Sequence, residues 1–203
     1  MKTALSARLP IIRQMILTAV LGIVALISSL YVNAQNGVRS SDIKVLGTSN
    51  LHDWKMKAQS TSLSAKFDLK PGTNQLTELS ALSFTMPVKG LKSDESLMDS
   101  RAYSTLKADK YEKIAFNMSS AVVTPGANNQ YVVKATGNLT ISGVTKPVTL
   151  VANGVVNPDK SITITGAQKI KMSEFGVKPP TFMLGALKVG DVVTVEYNLK
   201  FNG

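Results

Sequence analysis

The chain has 203 residues, 44% of them hydrophobic, with no Cys, one His and a formal charge of +10, enough apolar material for one packed domain. Without Cys, disulfides, thiolate chemistry and a lipid-modified N-terminal cysteine are excluded. A single His leaves almost no room for a zinc site of the usual His or Cys type, and a carboxylate-only site would favour calcium or magnesium.

Lys2, Arg8 and Arg13 precede an uncharged apolar run from Ile16 to Leu30, followed by Val32-Asn33-Ala34. The run has 15 residues, short of the roughly 20 that span a bilayer. The pattern predicts a secretory signal peptide, residues 1–34, cleaved after Ala34 to release a periplasmic or secreted protein. Retention as an anchor is the alternative, because extending the run to Val32 brings it closer to spanning length. Cleavage leaves residues 35–203 as one domain and, with Lys2, Arg8 and Arg13 removed, lowers the formal charge from +10 to +7. The remaining Lys residues are scattered rather than clustered, which argues against nucleic acid as a partner.

From residue 42 onward short alternating segments recur, at about 42–49, 53–58, 62–69, 78–87, 113–123, 130–142, 146–156, 160–171 and 191–201. Leu82, Phe84 and Met86 share one face, as do Ile114, Phe116 and Met118; Ile162 and Ile164; and Val193, Val195, Tyr197, Leu199 and Phe201. Turn signals separate most segments: Pro71-Gly72, Pro125-Gly126 with Asn128-Asn129, and Asn157-Pro158-Asp159. The run from Asn138 to Leu150 reads as a hairpin. Gly143 suits a tight turn, and Pro147, which lacks an N–H, suits a strand start. Eight or nine antiparallel strands with one dry face each are satisfied by a barrel or a sandwich, and a barrel also removes exposed edges.

Two segments break the alternation. Met98, Ala102 and Leu106 recur at four-residue spacing, predicting a short helix over Leu97–Leu106 across or beside the barrel. Residues 173–191 place large apolar side chains in a Gly/Pro-rich loop, in which Phe175, Phe182 and Leu184 either plug one end of the barrel or form a hydrophobic mouth.

His52-Asp53 invites a catalytic reading. Adjacent residues in a strand point to opposite faces, however, so the two are poorly placed as base and orienter, and no catalytic residue is assigned. His52 is read as a hydrogen-bonded structural residue or a ligand contact; Trp54, on the same face, closes one end of the core or stacks on a head group. Asp99 and Arg101 either hold a polar head group or form a solvated helix end.

Four separated segments resemble, in order, the landmarks of the YceI-like family: His52-Asp53-Trp54; Met98 to Tyr103 followed by Leu106 to Phe116; the Leu139–Leu150 hairpin; and Phe175-Gly176-Val177-Lys178-Pro179-Pro180. The chain departs at Glu112, where the family usually has proline, and at Ser93, Asp94 and Glu95, which replace ionisable residues often seen ahead of the helix. The resemblance implies an all-β fold, a single antiparallel lipocalin-like barrel of about eight strands with one short helix, holding a polyisoprenoid or isoprenoid quinone. The apolar interior faces suit such a tail independently, and flexible Met side chains at Met86, Met98, Met118, Met172 and Met183 suit a branched one.

The expected ligand contacts are Trp54, Phe84, Met86, Met98, Tyr103, Phe116, Ile162, Ile164, Phe175, Phe182, Val193, Val195 and Tyr197, with His52, Asp99 and Arg101 at the head group and no metal ligand. No cofactor is required beyond a bound isoprenoid lipid or quinone. The expected partners are that lipid, a transiently contacted membrane surface and a second copy of the chain as a homodimer. Two other functions stay open, a structural or adhesive barrel filled by its own side chains and a lipid-modifying enzyme.

Overall fold

The alternating segments become strands in the computed structural model, which describes residues 36–203; the expected signal peptide lies outside those residues. In chain order they form β1 (Val38–Ser49), β2 (Trp54–Ala58), β3 (Ser62–Leu69), β4 (Leu76–Pro87), β5 (Leu91–Lys92), α1 (Ser96–Thr105), β6 (Lys113–Pro125), β7 (Gln130–Ile141), β8 (Val144–Val156), β9 (Ile162–Lys171), β10 (Thr181–Phe182) and β11 (Leu187–Phe201). The long strands fall where alternation places them. β5 and β10 have two residues each, too short to alternate.

All pairings are antiparallel, and the sheet runs β3-β4-β6-β7-β8-β9-β11-β1-β2-β5, with β10 added to β11. The sheet curls into a single lipocalin-like barrel with one short helix. Its β3 edge meets the chain entering β1: the Asn36 N–H donates to the Ala65 carbonyl at 3.0 Å, and the Phe67 N–H donates to Asn36 Oδ1 at 2.7 Å. Among the described residues no ladder joins β3 to β5, so these contacts close the curl where a continuous ladder does not.

The hairpin turns on Ser142 and Gly143, both at positive φ (48° and 78°), which pair Ile141 with Val144. This two-residue turn matches the twist of the flanking strands. Ser142, not only Gly143, takes the left-handed conformation, and its hydroxyl donates to the Leu106 carbonyl at 3.0 Å. Thr140 and Thr145 share a hydroxyl hydrogen bond on the outer face while Leu139 and Ile141 face the core. Pro147 is not at the strand start as expected. It sits inside β8, opposite Asn138, where β8 has not yet met β9, because that pairing runs only from Ala152 to Val156. A residue without an N–H is tolerated there.

At one end of the barrel, Phe201, Ile162 and Val156 are almost wholly buried, and the Phe67 and Phe201 rings meet edge to face with centroids 5.1 Å apart. Each such side chain stabilises the fold by roughly 1.5–3 kcal/mol through burial alone. The other end carries α1, the turn from Ser49 to Asp53, and the irregular segment from Met172 to Leu187.

Helix α1 lacks a side-chain N-cap at Glu95. Asp99 secures it instead, accepting from the Ser93 N–H at 2.7 Å and the Ser93 hydroxyl at 2.8 Å, with Lys92 Nζ at 3.4 Å. The Tyr103 hydroxyl lies 2.8 Å from the Leu91 carbonyl and 2.9 Å from that of Lys89, tying the helix to β5 and the turn before it.

Candidate functional site: an apolar cavity with a polar mouth

Because side chains alternate along a strand, the inner faces of the nine long strands converge on one space, to which Leu91 of β5 and Phe182 of β10 are added. That space is a cavity of about 380 Å³, within the range of small-molecule sites. Its wall is almost wholly apolar. Phe84, Met86, Phe116, Ile164, Val193, Val195 and Tyr197 line it from the strands. Met98, Arg101, Ala102 and Thr105 of α1 and Leu106 at its C-cap line it, at the three- and four-residue spacing of one helix face.

Strand register gives each residue a depth. Trp54 pairs with Gly47, Gly47 with Val193 and Val193 with Ile170, one level at the mouth. The next level inward is Met56, Val45, Val195 and Gln168, and the one after it Ile43, Tyr197 and Gly166. Trp54 lies flat against Gly47, where a Cβ would fall 2.0 Å from the indole ring, and its Nε1–H donates to the Thr48 carbonyl at 3.2 Å. The glycine makes room for the ring at the entrance.

The helix and the loop meet across that entrance. The Arg101 guanidinium lies 4.3 Å from the centre of the Phe182 ring, and both residues line the cavity. His52, Glu95 and Ser49 complete the polar part of the mouth. His52 Nδ1 stands 2.9 Å from the Asp53 backbone carbonyl, so the Asp53 carboxylate does not orient the ring. The irregular loop divides between both expected roles. Phe175 and Val177 are buried against Phe116 and Leu139, whereas Phe182 is half-buried at the mouth and Met183 and Leu184 are exposed, Leu184 completely.

Three expected contacts lie off the wall. Ile162 is fully buried among Phe201 and Val156 in the core, because alternation assigns a face but not a depth. Tyr103 turns toward the Lys89 and Leu91 carbonyls that hold its hydroxyl. Asp99 is spent on Ser93 and Lys92; burial pushes its carboxyl up, but the hydrogen bonds outweigh this and hold it below the ordinary carboxylate value. Of the five expected adaptable methionines, Met86, Met98 and Met172 line the cavity, while Met183 is exposed and Met118 packs in the core beside it. The sequence reading missed Met56, Glu95, Gln168 and Leu187 on the wall. Met56 carries the same alternation signal as its neighbours, whereas Leu187 falls in the segment that the sequence presents as an irregular loop. Among the described residues no three His, Asp or Glu side chains gather in a group that could hold a metal ion.

A curled antiparallel barrel around one apolar, ligand-sized cavity defines the class as a lipocalin-like binding fold. The chain matches the YceI-like domain over residues 39–201, and it belongs to that family. Among solved structures it is similar to BcnA of Burkholderia cenocepacia, at 20% identity over 79% of this chain and 95% of that one, with a TM-score of 0.62. It is similar to a polyisoprenoid binding domain from Saccharophagus degradans implicated in plant cell wall breakdown, at 10% identity over 83% and 97% of the two chains, with a TM-score of 0.61. A Campylobacter jejuni YCEI protein aligns at 22% identity over 77% and 84%, with a TM-score of 0.53. No curated protein sequence matches the chain. At these identities the likeness establishes the fold.

Proposed function

We propose that this is an exported binding protein that sequesters or carries a long-chain isoprenoid lipid, a polyisoprenoid or an isoprenoid quinone, inside its barrel. The observation that carries the reading is the cavity itself: about 380 Å³ of apolar space with its polar groups gathered mainly at the mouth. Apolar burial supplies about 0.8 kcal/mol per CH₂, so each five-carbon unit contributes at most about 4 kcal/mol before chain ordering offsets part of it. The similarity to a polyisoprenoid binding domain points the same way. A self-filled structural barrel is disfavoured by the open cavity. No observation favours catalysis over binding: the Asp53 carboxylate does not reach the His52 ring, whose Nδ1 faces the Asp53 backbone carbonyl.

Mass spectrometry of an organic extract of the protein, purified from its own host, tests the reading. A retained isoprenoid is expected; a lipid-free protein that also takes up none from detergent would sink it. Intact mass of the exported form tests the leader, with Gln35 as the expected first residue.

The fully exposed Leu184 and its neighbour Met183 stand beside Phe182 at the mouth, with Leu51 and Leu97 also exposed on the two elements that frame it. Exposed apolar residues gathered in one patch mark membrane or partner contact, and this rim is the surface that meets a membrane while the tail transfers. Leu184→Asp should abolish flotation with phospholipid vesicles while leaving the melting temperature and lipid already held unchanged. Undiminished flotation would place membrane contact elsewhere.

A further inference from the structure

The inner face of β9 reads Ile162, Ile164, Gly166, Gln168 and Ile170. Gln168 is the exception in an apolar row, and it lines the cavity one level below the mouth, opposite Val195. The other polar wall residues, apart from Tyr197, come from the mouth end of β1, the turn after it and α1. Among the described residues Gln168 makes one hydrogen bond, from Nε2 to the Lys169 carbonyl at 3.1 Å. Its second amide hydrogen and its Oε1 remain for another partner.

Tyr197 lies one level deeper, across from Gly166, where a Cβ would fall 2.4 Å from its phenolic oxygen. Its hydroxyl donates to the Val151 carbonyl at 3.3 Å. Val151 is the first β8 residue past the point where β8 and β9 part, since their pairing stops at Ala152 and Gly166. Burial pushes the phenol pKa up, so the group stays an O–H whose oxygen still accepts. At about 3.3 Å per residue, Gln168 lies about 7 Å and Tyr197 about 13 Å inside the Trp54 level.

A polar side chain in an apolar wall costs free energy unless something bonds it, and Leu or Met would fill the Gln168 position without that cost. Building on the carrier reading, we infer that Gln168 and Tyr197 form a polar station inside the cavity that hydrogen-bonds a neutral oxygen of the ligand, a ring carbonyl or a hydroxyl drawn below the mouth. The amide N–H donates to a carbonyl, and Gln168 Oε1 and the phenol oxygen accept from a hydroxyl. The station favours an oxygenated isoprenoid over an isoprenoid hydrocarbon.

Displacement of a fluorescent lipid reads the binding of three probes to the delipidated, folded protein: a short-chain isoprenoid benzoquinone, a short polyprenol and squalene, which carries no oxygen. Gln168→Met should weaken the quinone about 3- to 10-fold, the range of one neutral hydrogen bond, and leave squalene unchanged. Loss on the quinone alone assigns the station to a carbonyl, and equal loss on quinone and polyprenol assigns it to either oxygen. If Gln168→Met folds poorly, Tyr197→Phe tests the accepting half of the station, with loss expected on the polyprenol and none on squalene. Weakening of all three probes by one factor, or of none, overturns the inference while leaving the carrier reading intact. Failure of the wild type to bind any probe overturns the carrier reading and this inference with it.

Discussion

Filling the cavity at mid-depth is the sharpest test of which face holds the tail. Val195 stands on the second level of the barrel between Val45 and Gln168 and lines the cavity, while Thr194 points outward between Leu46 and Lys169. Trp carries about seven more side-chain atoms than Val, slightly more than one isoprene unit, and displacing that unit removes up to about 4 kcal/mol of burial. At about 1.4 kcal/mol per tenfold the ceiling is near 1000-fold. Part of that loss is offset because the displaced unit no longer has to be ordered. Val195→Trp should therefore weaken isoprenoid binding by at least about 30-fold, by the same conversion, measured by tryptophan-independent displacement of a fluorescent lipid. Thr194→Trp should leave it within a factor of two or so. A folded Val195→Trp protein that binds as tightly as wild type, or a Thr194→Trp protein that does not bind, refutes the assignment of faces.

Two further outcomes concern the scaffold. Gly143→Ala places a Cβ at positive φ and 2.3 Å from the Tyr111 ring, so urea unfolding should show a loss of about 1–3 kcal/mol; an unchanged midpoint would mean that the hairpin tip is not held against Tyr111. Three of the four carboxylates with lowered pKa values contribute to the acid limit through hydroxyl or backbone partners, the fourth being the exposed Asp109 paired with Lys89. Ser161 and Arg39 hold Asp159 well below the usual range, Ser173 holds Asp191 below it, and Asp99 is lowered by its Ser93 and Lys92 partners despite burial. A folded pKa below the unfolded value of about 3.9 gives stability that is complete above that value and lost as pH falls through the folded pKa. Unfolding free energy should thus contain no loss from these groups between pH 7 and about 5 and should decline below about 4. Asp159→Asn should shallow that decline, and an equally steep decline in the variant would remove Asp159 from the account.

Alternation made most of the barrel legible because the dry and wet faces are chemically distinct along each strand. It failed where the backbone changes phase. An extra residue at Ser80 in β4 puts both Leu79 and Leu82 on the cavity, three residues apart, and another at Ser119 in β6 shifts the inward set to Ala121 and Val123. A bulge leaves no composition signal when the residue it inserts is an ordinary serine. Depth was equally hidden, since Ile162 and Ile164 share a face and differ only in how far they lie from the mouth. Gln168 escaped notice for the opposite reason. A lone polar residue among Ala167, Lys169 and Lys171 looks like the wet end of a strand until the register of β11 turns it inward.

The resemblance and the cavity inform different parts of the molecule. Three of the four landmarks converge on one spot: the hairpin tip bonds Leu106 through Ser142, Gly143 lies under Tyr111, and Gly176, at a φ of 68°, sits where a Cβ would fall 3.5 Å from Val144. These residues are specific because a two-residue turn, an aromatic lid and a left-handed cap must fit together, so they report the scaffold. The departure at Ser93, Asp94 and Glu95 falls instead at the entrance. Ser93 binds Asp99 to start α1, and Glu95 lines the mouth with His52 and Arg101. The scaffold therefore follows from family membership. Glu95 and Arg101 both line the mouth, so it carries one acidic and one basic side chain rather than charge of a single sign, which suits the neutral oxygen that the inferred polar station would bind.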